Sequence, residues 1–281
     1  MPAFETFQLH RCFDGTVGFY AHQSEACSGT MRFAVFQPSQ ALTQRRPVLM
    51  YLAGLTCSEE TFMIKGGAQR LAAELGIILV APDTSPRNTD IAGEDDDWDF
   101  GTGAGFYVDA TQSPWSRHYR MYSYVTNELP ALIGAHFNGD LSRQGIFGHS
   151  MGGHGALICA LKNPTQYRSV SAFAPVSAPM QCPWGRKAFA NYLGDERRDW
   201  QAYDASELVR QTPLPYPILV DQGRADKFLD EQLKPQLFER ACAAAGQELR
   251  LRLHDDYDHS YYFVSTFMAD HLRHHAPCLG V

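Results

Sequence analysis

No C-x-x-C pair occurs among the seven cysteines, Cys12, Cys27, Cys57, Cys159, Cys182, Cys242 and Cys278. Their number is odd, and their spacing fits neither a disulfide framework nor a structural zinc site. They read as reduced thiols of a cytoplasmic protein. A basic tract is missing too. The chain carries a formal net charge of −7, whereas a nucleic-acid binder normally shows a basic face, so that class is disfavoured. The same negative total gives no general attraction for an anionic substrate; an anion would need a local cationic patch. The segment Met1-Pro2-Ala3-Phe4-Glu5-Thr6-Phe7 has no basic n-region or apolar h-region, so no signal peptide is expected. No apolar run approaches the length that spans a bilayer, so no membrane partner is expected either. Internal repeats and low-complexity linkers are also missing.

What is present is an ordinary globular composition, 44% hydrophobic and 20% charged over 281 residues, enough for a sizeable core without metal or disulfide staples. Thr16–Gln23 and Met31–Gln37 alternate as half-buried antiparallel strands do. Pro47–Ala53 is instead continuously apolar, the pattern of a strand covered on both faces. A helix over Gly67–Leu75 and a buried strand over Gly76–Ala81 follow. Asp83–Arg117 is a long irregular stretch, and loops of that length inside compact domains are usually functional. The helix expected over Tyr119–His136 contains Pro130, which should kink it. Next come a strand over Arg143–His149, a helix over Met151–Leu161, and strands over Ser169–Ala174 and Pro217–Gln222. A helix over Glu231–Ala245, a strand over Glu248–His254 and a helix over His259–His274 complete the chain. Alternating strands and helices predict a single α/β domain over residues 1–281. Its central sheet should be mostly parallel, with an antiparallel N-terminal edge and helices on both faces. Active sites in such sheets gather at the carboxyl ends of the strands.

Gly148-His149-Ser150-Met151-Gly152 fits G-x-S-x-G between a strand and a helix, the setting of a nucleophile elbow in an α/β-hydrolase. The glycines keep Cβ atoms away from the adjoining strand and helix, and the helix N-terminus faces a developing oxyanion. The plain alternative is a Ser/Gly turn that only caps a helix. A serine hydroxyl needs a base, and the base needs an orienting acid, in the order serine, acid, histidine. His259 follows the polar loop Asp255–Asp258 beyond the last strand, where the base belongs. His254 ends that strand, while His271, His274 and His275 lie late in the final helix and are expected on the solvated surface. For the acid, Asp226 lies in the loop past its strand and is preferred to Asp221, which lies on the strand itself. The Glu94-Asp95-Asp96-Asp97 run reads as a solvated loop rather than a metal site.

Beyond the elbow, the chain resembles the S-formylglutathione hydrolase family, also called esterase D. The likeness rests on motifs spread over nearly the whole length: Leu52–Glu59 (LAGLTCSE), Ala81–Arg87 (APDTSPR), Trp98–Gly101 with Ala104–Ala110, Gly148–Ala156 (GHSMGGHGA), and Asp258–Phe263 (DHSYYF). The resemblance implies hydrolysis of S-formylglutathione to glutathione and formate, without metal or organic cofactor. It implies Ser150, Asp226 and His259 as the triad, and the backbone amides of Leu55 and Met151 as the oxyanion hole. A homodimer is implied as well. Cys57, two residues after Leu55, is expected to line the site without doing chemistry, although nucleophile and inert packing are the competing readings. Trp98 and Trp184 are candidates for the substrate pocket, with plain packing equally open, and the resemblance favours Trp184. Two rival functions remain: a broad carboxylesterase using the same triad, and a non-catalytic binding protein on a hydrolase scaffold.

Overall fold

Alternation in the first forty residues builds an antiparallel meander. In the computed structural model, which describes residues Phe4–Val281, β1 (Glu5–Arg11), β2 (Gly15–Ser24) and β3 (Gly29–Pro38) pair in turn. β1 was not expected. Its register slips at Phe7, and Phe7 and Leu9 both stay exposed at the outer edge of the sheet. β3 then pairs antiparallel with β5 (Ile78–Pro82). From β5 onward, β4 (Arg46–Leu52), β6 (Gly139–His149), β7 (Tyr167–Phe173), β8 (Ile218–Gly223) and β9 (Leu249–His254) are all parallel neighbours. The order is β1-β2-β3-β5-β4-β6-β7-β8-β9. The apolar runs noted in the sequence are these central strands, with β4 and β5 almost wholly buried.

Between the strands lie α1 (Glu59–Lys65), α2 (Gln69–Leu75), α3 (Met121–Ser123), α4 (Leu129–His136) and α5 (Met151–Lys162). The later helices are α6 (Pro183–Leu193), α7 (Arg197–Gln201), α8 (Ala205–Gln211), α9 (Pro235–Ala245) and α10 (Tyr261–Leu279). They cover both faces, as β7 makes plain. Strand side chains alternate between faces. Phe173 stacks on His271 of α10 at 3.6 Å between ring centroids, whereas the Cβ of Ala172 lies beneath Gly153 of α5. The mixed α/β architecture therefore matches the expected fold. Among the described residues no helix is long and apolar enough to cross a membrane.

Three expectations need correction. The helix around Pro130 is not one continuous α-helix from Tyr119; it passes from α3 to α4 through a π turn, Tyr124–Glu128. Pro130 has no N–H for the carbonyl of Thr126, four residues back. That carbonyl accepts instead from the Gln166 side-chain amide at 2.8 Å. The helix expected over Glu231–Ala245 begins only at Pro235, because Lys234 takes a left-handed conformation (φ 45°) after a second π turn, Leu229–Leu233. His271 and His275 are fully buried rather than solvated, and His274 is only partly exposed. The polar face of α10 lies on the sheet because β7 offers hydroxyls: Ser169 and Ser171 bond His275 at 2.6 and 2.8 Å, and Ser171 also bonds His271 at 2.8 Å.

Candidate active site

Ser150 stands in the turn between β6 and α5 with φ 59° and ψ −121°, a region that non-glycine residues avoid. Such strain costs on the order of 1–3 kcal/mol and persists only where the surroundings over-determine it. Here they do. The Ser150 N–H donates to the Phe173 carbonyl on β7 at 2.9 Å, and the Ser150 carbonyl accepts from His154 and Val176 at 3.0 and 3.2 Å. A Cβ on Gly152 would sit 1.9 Å from the Leu52 carbonyl oxygen, and one on Gly148 would sit 2.3 Å from that of Gly152. The glycine pattern is therefore a packing requirement of the strand–turn–helix unit. The first N–H groups of α5 have no intrahelical acceptors, so the Met151 amide is free to point at an anion beside Ser150.

The acid and base come from the next two strand ends. Past β8, Asp226 is buried, with its Oδ1 accepting from the Phe228 N–H at 2.9 Å and its Oδ2 from Gln222 Nε2 at 3.3 Å. Oδ2 also faces His259 Nδ1 at 2.5 Å. A carboxylate only accepts, so Nδ1 carries the proton and Nε2 is left as the basic atom. Asp221, the other acid considered, is taken up elsewhere. Arg252 grips it from Nε at 2.6 Å and Nη2 at 2.5 Å, and His271 Nε2 lies at 3.3 Å. Burial alone would raise its pKa, but the hydrogen bonds from His271 and Arg252 hold the carboxyl well below the usual range. It serves the core rather than the site.

The loop after β4 carries Leu55 and Cys57 and is clamped on several sides. Thr56 has φ 66°, and its N–H donates to the Gly103 carbonyl at 3.0 Å. The Cys57 carbonyl accepts from Thr84 Oγ1 at 2.6 Å and from Arg87 Nη2 at 3.1 Å, while Arg87 is itself paired to both oxygens of Asp83. Ser58 caps α1 with a capping box to Thr61. The long loop read as functional thus works as a brace. Its Gly103, Thr84 and Arg87 fix the loop that carries Leu55 and Cys57 along the cleft.

Leu55, Cys57, Trp98, Trp184, Ser150 and His259 line one cleft of about 260 Å³. Larger hollows around Arg117 (about 520 Å³) and Phe19 (about 440 Å³) contain no member of the triad. Trp98 is 55% exposed and meets the buried Trp184 edge-on at 5.5 Å. Trp184 packs on Phe228 at 4.7 Å, and Phe228 on His259 at 5.1 Å. The cleft therefore has an aromatic wall running from its mouth to the imidazole. Burial pushes the Cys57 thiol up, although hydrogen bonds from Thr61 and Tyr261 and the charge of Lys65 pull it back. It is a thiol, not a thiolate, at neutral pH, and therefore a poor nucleophile.

Five lining residues were not singled out in the sequence: Gly54 and Thr56 of the loop after β4, and His149, Phe228 and Tyr261. His149 was visible as the residue before Ser150. Its ring is fully buried, 4.5 Å from that of His259, and neither of its nitrogens has a hydrogen-bond partner among the described residues. Burial, with the nearby His259 charge, holds its pKa well below the usual histidine value, so it is neutral beside the base. Phe228 carried no signal beyond standing two residues after Asp226. Tyr261, in the DHSYYF motif, bonds Tyr51 at 3.1 Å and starts α10.

Comparison with known proteins places these features in context. The profile of a family described as "Putative esterase" matches residues 24–274. The chain is 54% identical over 280 residues to mouse S-formylglutathione hydrolase, covering 99% of each chain. It is 51% identical over 278 residues to S-formylglutathione hydrolase of Paracoccus denitrificans, again covering 99% of each. Among solved structures, an S-formylglutathione hydrolase from Agrobacterium tumefaciens superposes with a TM-score of 0.95 at 53% identity, covering 98% of this chain and 99% of that one. A ferulic acid esterase at 18% identity and a TM-score of 0.73 shares the fold.

Proposed function

Because the chain belongs to the S-formylglutathione hydrolase (esterase D) family, we propose that it hydrolyses S-formylglutathione to glutathione and formate. Ser150, His259 and Asp226 act as nucleophile, base and acid. The observation that carries this reading is the 2.5 Å bond from His259 Nδ1 to the buried Asp226, in the cleft that also holds Ser150 at its strained turn. With Nδ1 committed, Nε2 takes the Ser150 proton as Oγ attacks the formyl carbon. The amides of Leu55 and Met151 receive the oxyanion, each contributing ~3 kcal/mol to the transition state. Collapse breaks the C–S bond, and the leaving glutathione sulfur takes the proton from His259. Water, deprotonated by the same nitrogen, then attacks the formyl ester. Formate leaves, and Ser150 recovers its proton.

The chain would act as one domain built on one sheet. We place it in the cytoplasm on its odd set of reduced thiols, and the family resemblance leads us to expect a homodimer. A hydrolysis series tests the reading: S-formylglutathione, S-acetylglutathione, S-butyrylglutathione and p-nitrophenyl acetate. A site suited to a formyl group predicts falling kcat/KM as the acyl group grows, since a misfit methylene costs ~1–3 kcal/mol. Faster turnover of the oxygen ester than of any thioester would turn the assignment to a general carboxylesterase. Absence of both turnover and fluorophosphonate labelling would turn it to a binding protein.

A further inference from the structure

The glutathione arm of the substrate bears two carboxylates and one ammonium, a net negative ligand for a protein of net charge −7. Binding therefore calls for a cation at the cleft mouth that is not already committed. Most candidates are. Lys187, one turn beyond Trp184 on α6, holds Asp97 at 2.9 Å and Asp99 at 2.5 Å, the residues on either side of Trp98. Arg224 is paired with Asp255 at 3.0 Å. Lys227 differs. It is exposed, and it has no carboxylate within ion-pair distance among the described residues. Its Nζ lies 4.8 Å from the ring centroid of Phe228, the aromatic residue that walls the cleft beside His259.

The position of Lys227 is set by the catalytic acid itself. Asp226 Oδ1 accepts from Phe228 N–H at 2.9 Å, the Asp226 carbonyl accepts from Leu229 N–H at 3.1 Å, and Ala225 N–H reaches the Tyr257 carbonyl at 3.0 Å. The backbone on both sides of Lys227 is thereby pinned, while its ammonium lies over the ring of Phe228, which lines the cleft. A thioester whose formyl carbon meets Ser150 must lead its peptide arms out along that aromatic wall. We propose that Lys227 is the specificity-determining cation of the cleft, pairing with a carboxylate of the glutathione moiety. This rests on the reading given under Proposed function.

The test compares wild-type enzyme with Lys227→Glu, Lys227→Gln and Lys227→Arg on S-formylglutathione and on uncharged p-nitrophenyl acetate. In Lys227→Glu, the ratio of kcat/KM for S-formylglutathione to that for the neutral ester should fall on the order of tenfold, through KM. Lys227→Gln should fall by about a third as much on a logarithmic scale, and Lys227→Arg should restore the ratio. Added salt should raise KM for S-formylglutathione in the wild type and less so in Lys227→Gln, because an exposed pair is screened. An unchanged ratio in Lys227→Glu, or an equal loss on both substrates, overturns the proposal while leaving the function standing. A wild-type enzyme that does not turn over S-formylglutathione overturns the function, and the proposal with it.

Discussion

At the scale of single residues, the site separates chemistry from access. Ser150→Ala should abolish fluorophosphonate labelling and reduce turnover to a trace without unfolding the chain, since the φ 59° turn is held by backbone bonds. Asp226→Asn keeps the shape but presents an amide to His259 Nδ1. Loss of the correct tautomer should lower kcat by about 10³–10⁴-fold with little change in KM. Cys57 belongs to access. Its thiol lines the cleft, and burial has raised its pKa above the ordinary 9.0. Inactivation by N-ethylmaleimide should therefore be slow at pH 7 and climb as the pH passes 9, because the thiolate is the reacting form. Cys57→Ala should retain most of its activity and lose that sensitivity. A dead variant would give the thiol a chemical role, and an equally sensitive one would move the target to another cysteine.

Elements are positioned by pairings that cross the sheet and its loops, and one of them can be measured alone. Gln166 supplies the amide that Pro130 cannot, closing the Thr126 carbonyl at the π turn between α3 and α4. Gln166→Ala should cost about 1–2 kcal/mol in urea unfolding, the penalty for an acceptor left without its donor, and leave kcat unchanged. This turn also marks what a linear reading of the sequence could reach. Pro130 signalled a disturbance, but the rescue by a residue 36 positions away is tertiary. The central strands were legible because burial on both faces leaves continuous apolar runs. The elbow was legible because its G-x-S-x-G signature lies within five consecutive residues between a strand and a helix, although the contacts that force Gly152 come from Leu52 and Ala53, far off in sequence. α6 had a signal that went unused: Trp184, Ala188, Phe189 and Tyr192 recur at helical spacing on its buried face. β1 had none that separates it from a loop, since every residue in it is exposed. The histidines of α10 were misplaced for a similar reason. Their partners, Ser169 and Ser171, lie about a hundred residues earlier.

Across the whole molecule, those histidines share the response to acid with several buried carboxyls. A polar chain runs from Asp270 through Arg252 and Asp221 to His271, then through Ser171 to His275, tying β7, β8 and β9 to α10. Burial lowers the pKa of His271, against the pull of Asp221. It holds that of His275 well below the ordinary value, with help from the neighbouring His274 and His271 charges. His154 is lowered by burial to about 4, despite its bond to the Phe106 carbonyl. A histidine with a depressed folded pKa is neutral in both states above about 6.5, where it contributes nothing to the pH dependence. Below that value the unfolded chain binds the proton and the folded chain does not. Each such group then removes up to about 1.4 kcal/mol of stability per pH unit, until its folded pKa is reached. Asp221 acts lower still. Its folded pKa is depressed, so its contribution is complete above about pH 4 and is lost as the pH falls through and below that value. These histidines should therefore steepen the loss of stability, measured by urea unfolding, below about pH 6.5, and Asp221 adds a loss under pH 4; the buried carboxyls of Glu59 and Asp204, raised by burial to about 7 and about 6, take up protons in the folded chain and work against the fall until the unfolded carboxyls titrate. In His154→Gln the slope between pH 6 and 4 should be shallower by close to one proton. A slope equal to that of the wild type would show that His154 already titrates in the folded protein.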